Sequence, residues 1–154
     1  MLSLIYVSVA SAGLTAADVT TLAERAAANN AKHDVTGMLA YNSQSFMQLL
    51  EGDGAHVLSI MRRIEQDDRH GSITYIRQHD REHRECPDWS MRSLVTPMTG
   101  IGSANVFTKS LPEAMDLDTK ILFTSFASTL TEEQAAQYAE REQSTMWDLK
   151  ADND

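Results

Sequence analysis

The stretch from Ser45 to Gly52 constrains the fold most, because its apolar and polar side chains alternate as in a β-strand. Phe46, Gln48 and Leu50 fall on one face of that strand, so Gln48 is an amide between two apolar neighbours on a core-like face. A buried amide without hydrogen-bond partners costs about 1–3 kcal/mol. Backbone groups or water are the ordinary partners of a buried glutamine, and a bound ligand with a second polar side chain is the alternative.

The hydrophobic pattern on either side of this strand predicts a mixed sheet with two helices. The predicted strands span residues 2–9, 35–41, 45–52, 73–78 and 89–95, and the predicted helices span 15–32 and 54 to about 67 or 68. The order β-α-β-β-α-β-β is the ferredoxin-like plan with one extra strand, a fold of the α+β class. In that plan the first and third strands are antiparallel neighbours and both helices cover one face, so Tyr6 and Gln48 are expected to lie together beneath them.

The sequence after Gly100 is predicted to form helices that cover the opposite face of the sheet. Ser110 to Glu113 has the pattern of a capping box, and an apolar stripe follows from Ile121 to Phe126. Thr131 to Gln134 is a second capping box, which predicts a polar helix to about residue 150. The chain therefore divides into residues 1–97 and a helical extension over 98–154.

Charge and composition exclude several classes of partner. A formal net charge of -9 argues against nucleic acid, since phosphate backbones are bound by basic surfaces. No apolar run reaches membrane-spanning length, and the apolar N-terminus lacks the basic start of a secretory signal. The single cysteine, Cys86, excludes an intrachain disulfide. These features predict a cytoplasmic protein without a membrane anchor.

Two sets of residues resemble catalytic or metal sites only superficially. His79, His83 and Cys86 have metal-like spacing, but charged residues surround them and no fourth ligand is evident, which favours a solvated loop and no metal. Ser8 near His70 has neither an orienting acid nor an oxyanion-hole motif, which argues against a nucleophile. The sequence therefore predicts no catalytic residue.

The remaining polar residues suit ligand binding better than acid–base catalysis. Tyr6, Gln48 and the pair Asn29–Asn30 do not titrate near neutral pH, and amides both donate and accept hydrogen bonds. A planar heterocycle with carbonyl and N–H groups on its edge fits such a set. Two alternatives stay open at this point: the asparagines also suit a helix C-cap, and the run from Asp67 to His70 also suits a polar helix end.

Several motifs, in order and at the right spacing, resemble the BLUF domains, a family of blue-light photoreceptors that use flavin. The motifs lie between residues 2 and 95 and are Leu4–Ser8, Asn29–Asn30, Val35–Leu39, Phe46–Gly52, Asp67–His70 and Trp89–Met91. Ala40 departs from the pattern, since many relatives carry a larger aliphatic residue there.

The resemblance implies a flavin between the two helices, FAD being the usual choice, with FMN and riboflavin as alternatives. It implies that Tyr6 hydrogen-bonds Gln48, that Gln48 reaches the N5/O4 edge of the ring, and that Asn30 binds the carbonyl and N3–H side. The other cofactor contacts that it implies are Ser8, Asn29, Leu39, Phe46, Arg63, Asp67, Arg69 and His70.

The resemblance also implies how light acts. Tyr6 donates an electron and a proton to the excited flavin, and Gln48 is left rotated or tautomerised, with a slightly red-shifted absorption. Trp89 and Met91 match a late-strand pair that is thought to exchange places near the glutamine. The four photoactive residues would thus be Tyr6, Gln48, Trp89 and Met91.

A short, stand-alone photosensor of this kind is expected to be no enzyme. Residues 1–97 would be the flavin-binding domain, and residues 98–154 an output or oligomerisation segment. The signal would then pass through a homo-oligomer or an unidentified protein partner. The alternatives are a flavin-dependent oxidoreductase, for which no substrate site is evident, and a ferredoxin-like interaction module without flavin.

Overall fold

The computed structural model of the protein describes residues 1–95 and 103–128. The strands are β1 (Leu2–Ala10), β2 (Thr36–Tyr41), β3 (Ser45–Gly52), β4 (His70–Asp80) and β5 (Arg92–Val95). The helices are α1 (Ala16–Lys32), α2 (Gly54–Glu65), α3 (Ser103–Ser110) and α4 (Leu117–Ala127).

The five strands form one mixed sheet in the order β4-β1-β3-β2-β5. Strand β1 pairs antiparallel with both β3 and β4, whereas β5 joins the far edge parallel to β2. Tyr6 lies directly opposite Gln48 in the β1–β3 register. The predicted α+β, ferredoxin-like order is confirmed.

Alternation along β1 produces two separate cores. Leu4 and Tyr6 belong to the first core, which lies beneath α1 and α2. Ile5 belongs to the second core, where Phe107 of α3 and Phe123 of α4 pack against the opposite face of the sheet. Because successive strand residues point to opposite faces, each strand residue is committed to one core by its position.

A capping box fixes the start of helix α1, and the helix ends beyond the two asparagines. The predicted capping box is present: Asp18 N–H donates to the Thr15 hydroxyl at 3.1 Å, and Thr15 N–H donates to the Asp18 carboxylate at 2.9 Å. The helix runs through Asn29 and Asn30 to Lys32, and His33 is its C-cap. The C-cap interpretation of the asparagines is therefore wrong.

Several predicted boundaries need correction. Strand β5 begins at Arg92 and not at Trp89, because residues 86–91 form turns. Helix α2 ends at Glu65, two or three residues early, and β4 begins already at His70. Ser110 ends a helix where it was expected to begin one, and its hydroxyl donates to the Phe107 carbonyl at 2.6 Å.

The next helix, α4, starts only at Leu117, after the N-cap residue Asp116. In the predicted apolar stripe Phe123 and Phe126 are buried, but Ile121 is 56% exposed. The helix predicted from the second capping box, at residue 131 onward, lies outside the described residues.

The sequence predicts a solvated loop around His83 and Cys86, and the structure shows that part of this loop is buried. His79 and His83 are exposed, but Glu85 and Cys86 are buried. The Arg77 guanidinium, also buried, lies 2.5 Å from the Glu85 carboxylate. Arg77 on β4 supplies the positive charge that the buried Glu85 carboxylate needs. The two residues are 8 positions apart, and no local sequence pattern connects them.

Two further findings hold for residues 1–95 and 103–128. There, no three histidine, cysteine or acidic side chains come together in a way that would hold a metal ion. In the same ranges, no helix is both long and apolar enough to cross a membrane.

Candidate functional site

A cavity of about 270 Å³ lies between α1, α2 and the face of the sheet that carries Tyr6 and Gln48. This volume is close to the lower end of the range of about 300–1,000 Å³ that is usual for small-molecule sites. Most residues predicted to contact a cofactor line it, namely Tyr6, Asn29, Asn30, Leu39, Phe46, Gln48, Arg63, Asp67 and Arg69. The sheet and both helices thus bring together residues that are far apart in the chain.

One of the predicted contacts, Ser8, is not among the described residues that line the cavity. Ser8 is buried on β1, opposite Phe46 and two residues beyond Tyr6. His70 is the first residue of β4, and its backbone pairs with Ala10 at the far end of β1. Their predicted contact with a cofactor stays a prediction.

Tyr6 and Gln48 form the floor of the cavity. The Tyr6 hydroxyl donates a hydrogen bond to Gln48 Oε1, and Gln48 Nε2 donates to the Met91 sulfur at 3.5 Å. Thioether sulfur is a weak acceptor. The amide therefore has one strong partner and one weak partner, and its two ends are in different environments.

The Tyr6 hydroxyl stays protonated at any ordinary pH. Burial raises the pKa of Tyr6 far above its usual value, and the nearby Asp67 and Tyr75 raise it further. A neutral hydroxyl donates its proton to one acceptor, which here is the Gln48 carbonyl oxygen. The side chain is thus held as a hydrogen-bond donor and cannot act as a base.

Asn30 has a buried acceptor without a partner in the part of the chain that the structure describes. The residue is 1% exposed, and Nδ2 donates to the Ser90 carbonyl at 3.0 Å. Its Oδ1 has no hydrogen-bond partner within residues 1–95 and 103–128. An orphaned buried acceptor costs about 1–3 kcal/mol. A ligand N–H in the cavity would remove that cost, so Asn30 fits the heterocycle edge that the sequence predicted.

Three arginines are among the residues that line the cavity. Arg63 donates to Asn29 Oδ1 at 3.2 Å, and Arg69 Nε donates to both carboxylate oxygens of Asp67, at 2.9 and 3.1 Å. Arg25 of α1 also lines the cavity. Three guanidinium groups against one carboxylate give local positive charge in an acidic protein, as suits an anionic group on a ligand.

Sequence reasoning missed some lining residues. These are Leu22, Arg25 and Ala26 on α1, and Ile60 and Ile64 on α2. The i,i+4 pair on each helix, facing the Tyr6–Gln48 strands, was the available signal.

Of the two residues Trp89 and Met91, the structure places Met91 against Gln48 and Trp89 elsewhere. Met91 is buried in the first core and contacts the Gln48 amide. Trp89 packs against the second core, and the Arg92 guanidinium lies 4.6 Å from the centre of its ring. Trp89 and Met91 thus lie on opposite sides of the sheet, and an exchange between them stays a prediction.

Comparison with known proteins shows the family of this chain. The family described as BLUF, sensors of blue-light using FAD, matches residues 1–92. Photoactivated adenylate cyclase subunit beta of Euglena gracilis is 30% identical over 97 residues, which are 62% of this chain and 11% of that protein. The chain therefore matches only about a tenth of the length of this curated relative.

Solved structures share both fold and sequence. The dark-state structure of BlrB, a BLUF protein, is 28% identical with a TM-score of 0.63, covering 84% of this chain and 96% of that one. Klebsiella pneumoniae BlrP1 with FMN and cyclic diGMP is 25% identical with a TM-score of 0.58, covering 80% of this chain and 28% of that one. With its family match over residues 1–92, this chain belongs to the BLUF family of flavin-based blue-light sensors.

Proposed function

We propose that this chain binds a flavin in the cavity beneath α1 and α2 and signals blue light through Tyr6 and Gln48. The observation that carries the proposal is the hydrogen bond from Tyr6 to Gln48 at the floor of the cavity. It couples an oxidisable side chain to an amide whose two ends differ.

The lining of the cavity supports a flavin ring. Asn30 Oδ1 would accept from the ring N–H, and the second hydrogen on Gln48 Nε2 would reach a ring acceptor. Leu39 and Phe46 supply apolar walls for the planar ring. A bound flavin would supply blue-light absorption and an electron acceptor, neither of which this chain's own side chains provide.

Tyr6 and Gln48 supply two alternative hydrogen-bond arrangements. In the present one, the Gln48 carbonyl faces Tyr6 and its NH₂ faces Met91. Rotation of the amide would exchange donor for acceptor at both ends. One buried hydrogen bond gained or lost is worth about 1–3 kcal/mol, and about 1.4 kcal/mol shifts a two-state population tenfold. A single amide rotation can therefore reset the site.

Tyr6→Phe tests this proposal. The variant should retain flavin, because the ring and its packing remain, but it should lose the normal photocycle, because the hydroxyl proton and the oxidisable phenol are gone. Absorption spectra before and after blue light measure the effect. Tyr41→Phe is the matched control, since its hydroxyl donates at 3.3 Å to the Leu14 carbonyl, away from Gln48. A normal reversible red shift in Tyr6→Phe would contradict the role of Tyr6.

The arginines that line the cavity favour a flavin that carries phosphate, and FAD is part of the proposal. Arg63→Ala should weaken FAD binding about three- to fivefold, as expected for an exposed charge contact, and should affect riboflavin much less. Arg62→Ala is the control, because Arg62 is exposed on the same helix and does not line the cavity. Equal losses for FAD and riboflavin in Arg63→Ala would contradict the assignment.

Output is also part of the proposal. We assign flavin binding to residues 1–97 and output or oligomerisation to residues 98–154. The packing of α3 and α4 on the second core supports this division, because those helices contact the sheet that carries Gln48. A homo-oligomer or a protein partner would receive the signal, and the net charge of -9 suits a partner with a basic surface. A cytoplasmic location fits the single cysteine.

A further inference from the structure

Glu51 on β3 is a fully buried carboxylate three residues beyond Gln48. Its Oε1 accepts the backbone N–H of Glu85 at 2.6 Å, and its Oε2 accepts the N–H of Cys86 at 2.9 Å and the Thr36 hydroxyl at 3.0 Å. All three partners are donors, which suits an ionised carboxylate because it only accepts. Charge-assisted hydrogen bonds of this kind are roughly twice as strong as neutral ones.

Two of the donors to Glu51, Glu85 and Cys86, begin a short segment whose last residue, Met91, contacts the Gln48 amide. Residues 85–91, here called the 85–91 segment, continue from Cys86 through Trp89, whose carbonyl accepts from Gly37 N–H at 2.8 Å. The segment ends with the Met91 sulfur against Gln48 Nε2. Strand β3 therefore contacts both ends of the segment. Glu51 binds its first two residues, and Gln48 contacts Met91, its last residue.

Glu85 also connects this segment to α4. Its carboxylate lies 2.5 Å from Arg77 and accepts the Asp116 N–H, at the N-cap of α4, at 3.1 Å. Arg77 in turn donates to the Thr119 hydroxyl at 2.6 Å. A displacement of Glu85 would therefore alter contacts at the start of α4.

We propose that Glu51 is a positioning residue that fixes the 85–91 segment with Met91 against Gln48. The buried hydrogen bonds to Glu51 strongly favour one position of the segment. If Glu51 were removed, its buried donors would lose their hydrogen-bond acceptor. When the Gln48 amide changes its hydrogen bonds, the opposing anchor at Glu51 determines how readily the segment leaves and returns. This inference rests on the proposed photosensor function and adds a residue that does not line the flavin cavity.

Glu51→Gln tests the inference, because an amide sets an NH₂ group against one of the backbone donors while keeping the size of the side chain. The weakened anchor disfavours the arrangement to which the protein returns after light. We expect recovery of the dark absorption to slow about threefold or more, as the loss of one buried charge-assisted hydrogen bond predicts. In a Met91→Ala background the same substitution should have almost no effect, since coupled residues are not additive.

Control variants separate positioning from a general loss of stability. Val19→Ala trims a buried side chain of α1 that does not line the cavity, and its recovery rate should match the wild type. Cys86 is the only cysteine of the chain and is buried, so thiol labelling in the dark reports opening of the segment. Labelling should be about threefold faster or more in Glu51→Gln than in Val19→Ala, for the same hydrogen-bond loss.

A second variant keeps the test decisive if Glu51→Gln does not fold. Arg84 donates to the Thr36 hydroxyl at 2.8 Å and to the Glu51 carbonyl at 3.1 Å from a half-buried position. Arg84→Met should slow recovery in the same direction, because it frees the start of the segment. Unchanged recovery in the folded variants, or slowing that persists in the Met91→Ala background, would overturn the inference alone. Absence of a reversible shift in the wild type would overturn the photosensor function as well.

Discussion

Gln48→Leu retains the flavin and shows no light-induced red shift: this is the largest functional effect that we expect. Leucine has a similar volume and joins an apolar face between Phe46 and Leu50, both buried. The change removes the acceptor for the Tyr6 hydroxyl and the donor to Met91. With no amide to rotate, light has no second hydrogen-bond arrangement to select. A light-minus-dark absorption spectrum measures the loss.

Gln44→Leu is the matched control for this substitution. Gln44 is exposed in the turn before β3, where its backbone N–H donates to the Asn42 side chain at 3.1 Å and its carbonyl accepts from the Ala10 N–H at 2.9 Å. The shift should therefore be normal in that variant. A normal reversible shift in Gln48→Leu would show that the amide is not the group that responds.

Gly37→Ala has the largest expected effect on stability. A Cβ at this position of β2 would lie 1.9 Å from the Leu49 carbonyl oxygen and 3.1 Å from the Met91 methyl carbon. The first of these atoms belongs to the backbone of β3, so β2 and β3 must separate. We expect a loss of about 3 kcal/mol, the upper part of the usual range for overpacking, which lowers Tm by roughly 6–12 °C in a chain of this size.

Gly71→Ala provides the comparison, because a Cβ there would meet no atom within 4 Å. Gly71 lies on β4 at the edge of the sheet, and alanine should leave the melting temperature nearly unchanged. The displaced Met91 in Gly37→Ala should also alter dark recovery in whatever protein folds. An unchanged Tm in thermal melts of Gly37→Ala would contradict the tight β2–β3 contact.

The sheet and the floor of the site were predictable because they depend on local alternation. Gln48 lies between two apolar residues of its own face, Tyr6 shares a face with Leu4, and the antiparallel pairing of β1 with β3 makes the two polar residues neighbours. The helix positions of Asn29 and Asn30 follow from periodicity, although only the structure decides between a cap and a buried site residue. The Asn30 acceptor without a partner is a property of the packed fold and has no sequence signature.

The parts that could not be predicted depend on contacts between distant residues. Glu85 occurs in a run of charged residues, which locally favours a solvated loop. In the folded protein its carboxylate pairs with Arg77 of β4 and its backbone N–H donates to Glu51 of β3, so its polar groups have partners although it is buried. The choice of Met91 over Trp89 as the neighbour of Gln48 depends on where the turns before β5 end. Ser110 shows that a capping-box pattern alone does not distinguish the start of a helix from its end.

The most direct test is a light-minus-dark absorption spectrum of the wild-type protein loaded with FAD. The Tyr6–Gln48 pair predicts a small red shift of the flavin band after blue light that reverses completely in the dark. A protein that takes up FAD but shows no reversible shift, or that bleaches instead, would contradict the conclusion that this pair responds to light.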